Sequence, residues 1–194
     1  MAGFDGGGIY CDVSNLMIMN NMIDRNRAGS DGAGIYFWGA IPEISNSTIT
    51  GNIAEENGGG IYCSFQNDIT IKNTILWNND AISGKQIYIG SESEECTLTI
   101  SYTDVEGGDS PLHVGPGCDI NWGPGIIYAD PLFAAGPVGR YFLCQIAAGQ
   151  KVDSPCVDTG DPLSDIPVGT TRTDGVQDSW IIDMGYHYPL GALH

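Results

Sequence analysis

Short apolar runs recur along the chain, and glycine or asparagine cuts each one. The first coil-sized stretch reads "GIYCD", "LMIMN" and "MID", alternating runs too short for a helix, with no sustained 3.6-residue period. The runs then return. "GGGIYC" stands at 6–11 and again at 58–63, "GAGIYF" at 32–37 and "GKQIYI" at 84–89. Gly6, Gly32, Gly58 and Gly84 are each 26 residues apart, and Ile9, Ile35, Ile61, Ile87 and Tyr10, Tyr36, Tyr62, Tyr88 keep the same spacing. Later in the unit Ile23, Ile49 and Ile75 align, then Asn26, Asn52 and Asn78, with a slip of a residue in the third copy. Two or three short strands per unit, stacked on copies of themselves, predict an all-β parallel β-helix. Each coil should advance about 4.8 Å along the axis.

Alternation sorts the side chains. Ile9, Ile35, Ile61 and Ile87, with Cys11, Phe37, Cys63 and Ile89, form an apolar set expected to face inward. The set of Tyr10, Tyr36, Tyr62 and Tyr88 continues into Asp12, Trp38, Ser64 and Gly90, and is expected to face out as a ladder of stacked rings. Asn26, Asn52 and Asn78 fall where the chain turns. Asparagine tolerates the left-handed region, and stacked carboxamides hydrogen-bond from rung to rung. The repeat phrase thus builds a coil, and nothing inside it demands catalysis.

The period stops after "VEGG", so coils are expected over 1–108, and a last coil with an irregular capping segment over 109–194. A solenoid must protect its final edge from pairing with another chain. The six cysteines form no CxxC. Cys11 and Cys63 share a slot two rungs apart, too far to bridge, and are expected to be buried thiols. Cys144 with Cys156 is the better candidate pair, followed by Cys96 with Cys118.

The ordered phrases "GGGIY", "NTILWNN", "ISYTDVEGG", "ADPLF", "DSPCVDTGD" and "DMGYHYP" run from Gly6 to Pro189. In these the chain resembles bacterial right-handed parallel β-helix proteins of the pectin-lyase-like superfamily, and is also similar to polymorphic outer-membrane protein repeats. The resemblance implies a right-handed coil, an exported life and a role at the cell surface. It implies no single activity, because fold does not fix function.

Charge narrows the partners. With 24 acidic and 7 basic residues the net charge is −17, so no nucleic acid is expected, and cations, polysaccharides or cell-surface proteins remain. No stretch reaches membrane-spanning length, and "MAGFDGGG" has neither the basic nor the apolar region of a signal peptide. The repeat starts at once, as in a chain that enters an architecture under way. Its first coil then has no cap, so edge-mediated self-association is expected.

Candidate chemistry is sparse. Lyases of this fold need a basic residue beside a cation. Here the repeats carry Arg25, Arg27, Lys72 and Lys85, with none at equivalent positions 51, 53, 77 and 79. Glycoside hydrolysis needs two carboxylates about 5–10 Å apart. Asp104 and Glu106, on one strand face about 7 Å apart, are the candidates for such a pair, with Glu55 and Glu56 also adjacent. His113, His187 and His194 form no metal motif. Asp158, Asp161 and Asp165 in the turn-rich "DTGDPLSD" are the candidate ligands for Ca²⁺, the best cofactor guess. Tyr10, Tyr36, Tyr62 and Tyr88, with Trp38, are the candidate binding face, where rings could stack on sugars. The sequence reads first as a non-catalytic, secreted or surface β-helix module (stalk, adhesin or passenger), possible carbohydrate contact included. The alternative is a carbohydrate-active lyase or hydrolase.

Overall fold

A computed structural model describes residues 3–65, 68–90 and 95–192. The first coil holds β1 (Ile9–Asp12), β2 (Met17–Met19), β3 (Met22–Asp24) and β4 (Arg27–Ala28). The second holds β5 (Ile35–Trp38), β6 (Glu43–Ser45), β7 (Thr48–Thr50) and β8 (Ile53–Ala54). The third carries β9 (Ile61–Ser64), β10 (Asp68–Lys72) and β11 (Ile75–Trp77), and the fourth β12 (Ile87–Gly90), β13 (Cys96–Ser101) and β14 (Asp104–Val105). Part of a fifth follows, with β15 (Leu112–Val114) and β16 (Cys118–Trp122). These stack in parallel into three long sheets, β1-β5-β9-β12-β15, β2-β6-β10-β13-β16 and β3-β7-β11-β14, with β4 and β8 pairing as a short fourth. The fold is the expected all-β parallel β-helix.

Register follows the repeat. Ile9 pairs with Ile35, Ile35 with Ile61 and Ile61 with Ile87. Inside, Ile35, Phe37, Ile44, Ile49, Ile61, Ile69, Ile71, Ile87 and Ile100 are sealed from solvent in one core. Cys11 and Cys63 lie there as free thiols, on either side of Phe37 in the stack. The corners are set by residues in the left-handed region. Asn20, Asn46, Asn73 and Tyr102, with φ between 45° and 53°, turn the chain from the second sheet to the third. Gly32 turns it toward the first sheet at φ 65°, and a Cβ there would sit 2.8 Å from the Tyr36 Cβ. Both conformation and space therefore require glycine.

The carboxamide ladder differs from the expected one at its third rung. Asn26 donates through its backbone N and Nδ2 to Asn52 Oδ1, at 2.9 and 3.0 Å. Asn52 donates in the same way to Asn79, not Asn78, at 3.0 and 2.9 Å. Asn78 is exposed, at φ 56°. The third coil is one residue longer before this point, so Leu76, not Ile75, pairs with Ile49 and faces the core. It is one residue shorter after it, which restores the register at Gly84.

Beyond the fifth partial coil, Ile127 bridges to Asp104, and the chain leaves the stack. Sequence predicts a last coil and an irregular capping segment over 109–194, and β15 with β16 supply strands of that coil. The rest of the segment packs along the flank, over the outer face of the third sheet. It includes the hairpin of β17 (Phe133–Ala134) and β18 (Phe142–Leu143), two short 3-10 turns and much irregular chain. Leu143, Cys156 and Met184 pack on Ile75 in a second core, with Trp77 and Tyr102 at its margin. Its final stretch descends corner by corner. Gly185 N donates to Asn73 O, Tyr186 N to Thr48 Oγ1, and His187 N to Asn20 Oδ1. We call this flank segment the strap.

Candidate functional site

The tyrosine face forms as the alternation predicts, with an addition. Tyr10, Tyr36, Tyr62 and Tyr88 stack with centroids 4.9, 4.9 and 5.0 Å apart and planes within 17° of parallel. His113 on β15 continues the column, 4.2 Å from Tyr88 and 3° from parallel, and its Nδ1 meets Ser83 Oγ. Only register could have placed His113 there, because its coil has lost the repeat phrase. Each ring covers its neighbour. Tyr10, at the start, is 56% exposed, whereas Tyr36 is only 6% exposed. Burial raises the Tyr36 phenol pKa and pushes that of Tyr62 up to about 12. Ring faces are thus taken by other rings, and the column offers solvent mainly edges. Trp38 stands beside it, stacked on Phe65 at 5.5 Å and 5°.

Asp104 and Glu106 leave one face of the third sheet, as their period-2 spacing requires, but they do different work. Asp104 is sealed beneath the strap. Its Oδ1 accepts from Ala129 N at 3.2 Å, and its Oδ2 accepts from the Cys156 thiol at 3.3 Å. Burial pushes its pKa up to about 7. Glu106 terminates the carboxamide ladder. Asn79 donates to Gln86 Oε1, and Gln86 Nε2 donates to Glu106 Oε2, both at 2.7 Å; Asn78 N donates to the same oxygen at 2.6 Å. Glu106 also lines a polar cleft of about 500 Å³ with Asp80 and Lys85, which pair with each other at 2.9 Å.

The acidic loop is likewise engaged by the chain itself. Asp161 receives Lys72 Nζ and Leu163 N, and this pairing holds its pKa below the usual carboxylate range. Asp158 N donates to Asp183 Oδ1 at 2.7 Å, and Asp165 is exposed. Among the described residues no three His, Cys, Asp or Glu side chains are grouped as a metal site.

No sequence motif signals the buried polar cluster within the strap. Asp183 Oδ2 accepts from the Thr171 hydroxyl and from Gln145 Nε2, the latter at 3.1 Å. Asp178 accepts from Thr171 N at 2.8 Å. His187 is fully buried, with Nδ1 3.0 Å from Gly185 O and Nε2 3.3 Å from Asp178 Oδ2. Nδ1 therefore carries the imidazole proton, and Nε2 lies near the carboxylate without a hydrogen-bond partner among the described residues. Burial pushes Asp178 up to about 7, with Asp183 adding to the shift, and pushes His187 down to about 4. His194 lies outside the described residues.

Cys96 and Cys118 are disulfide-bonded across the β13–β16 pair, while Cys144 and Cys156 are free thiols. The expected order of preference is thus reversed. Direct neighbours in parallel strands met the distance requirement, and Cys156 was committed to Asp104.

No helix among the described residues is long and apolar enough to cross a membrane. No curated protein and no solved structure matches the chain. Residues 46–64 match the Chlamydia polymorphic membrane protein repeat. That stretch runs from the Asn46 corner through the ladder residue Asn52 and the Gly58 corner to the end of β9, so it spans most of one coil. The chain is a parallel β-helix, and the stretch that is similar to the Chlamydia polymorphic membrane protein repeat lies in its second and third coils.

Proposed function

We propose that this chain is a non-catalytic module of an exported bacterial protein, a passenger-type or stalk segment exposed at the cell surface. The observation that carries the reading is the matched repeat lying in register within a continuous stack. The site chemistry supports it. Tyrosine faces are turned to one another, Asp104 is sealed under the strap, and Glu106 is bound by the ladder. These groups hold the coil together. The high negative charge keeps such a surface soluble and repels other acidic surfaces.

Location tests the reading. Antibody raised against the folded chain is applied to intact cells of the bacterium that encodes it, and again after permeabilisation. Labelling of intact cells, removed by external protease, is the expected result. Labelling only after permeabilisation would overturn the surface assignment.

A further inference from the structure

At the first coil the strap leaves a cleft of about 520 Å³ against the third sheet. Three stretches distant in sequence meet there: Asp24 and Arg25 at the end of β3, Arg140 and Tyr141 before β18, and Tyr186 and Tyr188 at the end of the strap. A cleft of this size accommodates a small ligand.

Its charge runs against that of the molecule. The chain has only 7 Lys and Arg, and two of them line this cleft beside one carboxylate. Arg25 Nε is held by Asp24 Oδ2 at 2.8 Å. Arg140 is exposed and has no ion-pair partner among the described residues. A guanidinium in this state offers a planar fork of donors to a carboxylate or sulfate.

The aromatic walls are fixed in advance. Tyr188 is stacked on Phe142 at 3.9 Å and 12°, lies edge-on to Tyr186 at 4.8 Å, and accepts from Tyr141 N at 3.2 Å. Tyr141 packs edge-on to Phe133 at 5.1 Å, and its phenol lies within the influence of the Asp24 carboxylate. Side chains already ordered lose little freedom when a ligand arrives. Tyr188 is buried with one face on Phe142, so Tyr141 and Tyr186, half-buried and edge-on to their neighbours, are the rings this cleft presents. Aromatic walls suit a sugar ring, the Asp24–Tyr141 pair suits its hydroxyls, and Arg140 suits an acid group.

The geometry points to a binding site for an acidic sugar residue, with the ring on the tyrosines and the acid group on Arg140. This goes beyond the surface-module reading and does not depend on it. A carboxylated and a sulfated sugar share the chemistry, and separate arms of one experiment distinguish them.

The full chain is titrated, by NMR shifts, with N-acetylneuraminic acid, glucuronic acid, glucosamine 6-sulfate and, as the neutral control, glucose. The titrations are repeated on Arg140→Gln, Tyr186→Ala and Lys85→Gln, the last in a different cleft. At least one acidic sugar should bind roughly tenfold or more tighter than glucose, the scale of one charge-assisted hydrogen bond. Arg140→Gln should remove that preference, Tyr186→Ala should weaken all the sugars that bind, and Lys85→Gln should leave binding unchanged. Arg140 is exposed, so its variant retains the wild-type spectrum elsewhere. Equal binding of glucose, undiminished preference in Arg140→Gln, or no saturable shift up to about 10 mM would overturn the assignment.

Discussion

Asn52 shows how one side chain can serve three coils. It accepts from the coil before, donates to the coil after, and its Nδ2 reaches Ile23 O at 2.9 Å. Asn52→Ala leaves buried donors and an acceptor unpaired, and should cost about 3 kcal/mol in urea denaturation. Asn78→Ala, at the position that sequence alignment favours, should cost only about 1 kcal/mol, through its left-handed backbone. Equal costs would refute the shifted ladder. The buried carboxylates act in the opposite sense to a usual Asp. Asp104 and Asp178 titrate near 7 when folded, against 3.8 in the unfolded chain. From about pH 4 to pH 7 the folded state therefore binds more protons, and stability falls as pH rises through that window. His187, lowered to about 4, acts the other way between pH 4 and 6.5, but it is one group against two. The groups facing them are Cys156, Asp130 and Glu106 at Asp104, and Asp183, Arg172 and His187 at Asp178. Urea midpoints should be higher at pH 5 than at pH 8, and Asp104→Asn should flatten the difference. A midpoint that rises toward pH 8 would contradict these assignments.

At the scale of elements, the sequence was most legible where the repeat was strict. The core Ile set, the tyrosine column and the glycine corners follow from alternation and a 26-residue spacing. Two things were not legible. The third coil gains a residue before Leu76 and loses one before Gly84, and adjacent asparagines at 78 and 79 make both ladders look plausible on paper. The strap's path was hidden because it is set by contacts far apart in sequence, such as His187 with Asn20, 167 residues apart. No local period encodes such a pairing. Met184, sealed in the strap's own core, should cost about 3 kcal/mol as Met184→Ala. Cys96 and Cys118 close a separation of 22 residues at the end of the stack, so reduction should remove roughly 3 kcal/mol. Thiol titration of the unfolded, unreduced chain should find four reactive groups, those of Cys11, Cys63, Cys144 and Cys156. Two reactive thiols would mean that Cys144 and Cys156 are also bridged.

As a whole molecule the chain is a stack with a layer along one flank. Solenoid coils touch only their neighbours, so distant coils are coupled weakly. The strap changes this, because it bonds to the third, second and first coils in turn. It also walls the cleft that Arg140 lines, leaving the first two sheets as outward surfaces. The two faces that sequence singled out, the tyrosine column and the Asp104–Glu106 pair, are occupied with holding coils together. Function on this account is display at a surface, with no bond broken. The most direct test is to incubate the purified chain with a panel of neutral and acidic polysaccharides, with and without calcium, and to assay new reducing ends and new unsaturated ends. The account predicts neither kind of product under either condition. Product of either kind, lost in Glu106→Gln, would show that the chain is an enzyme and contradict it.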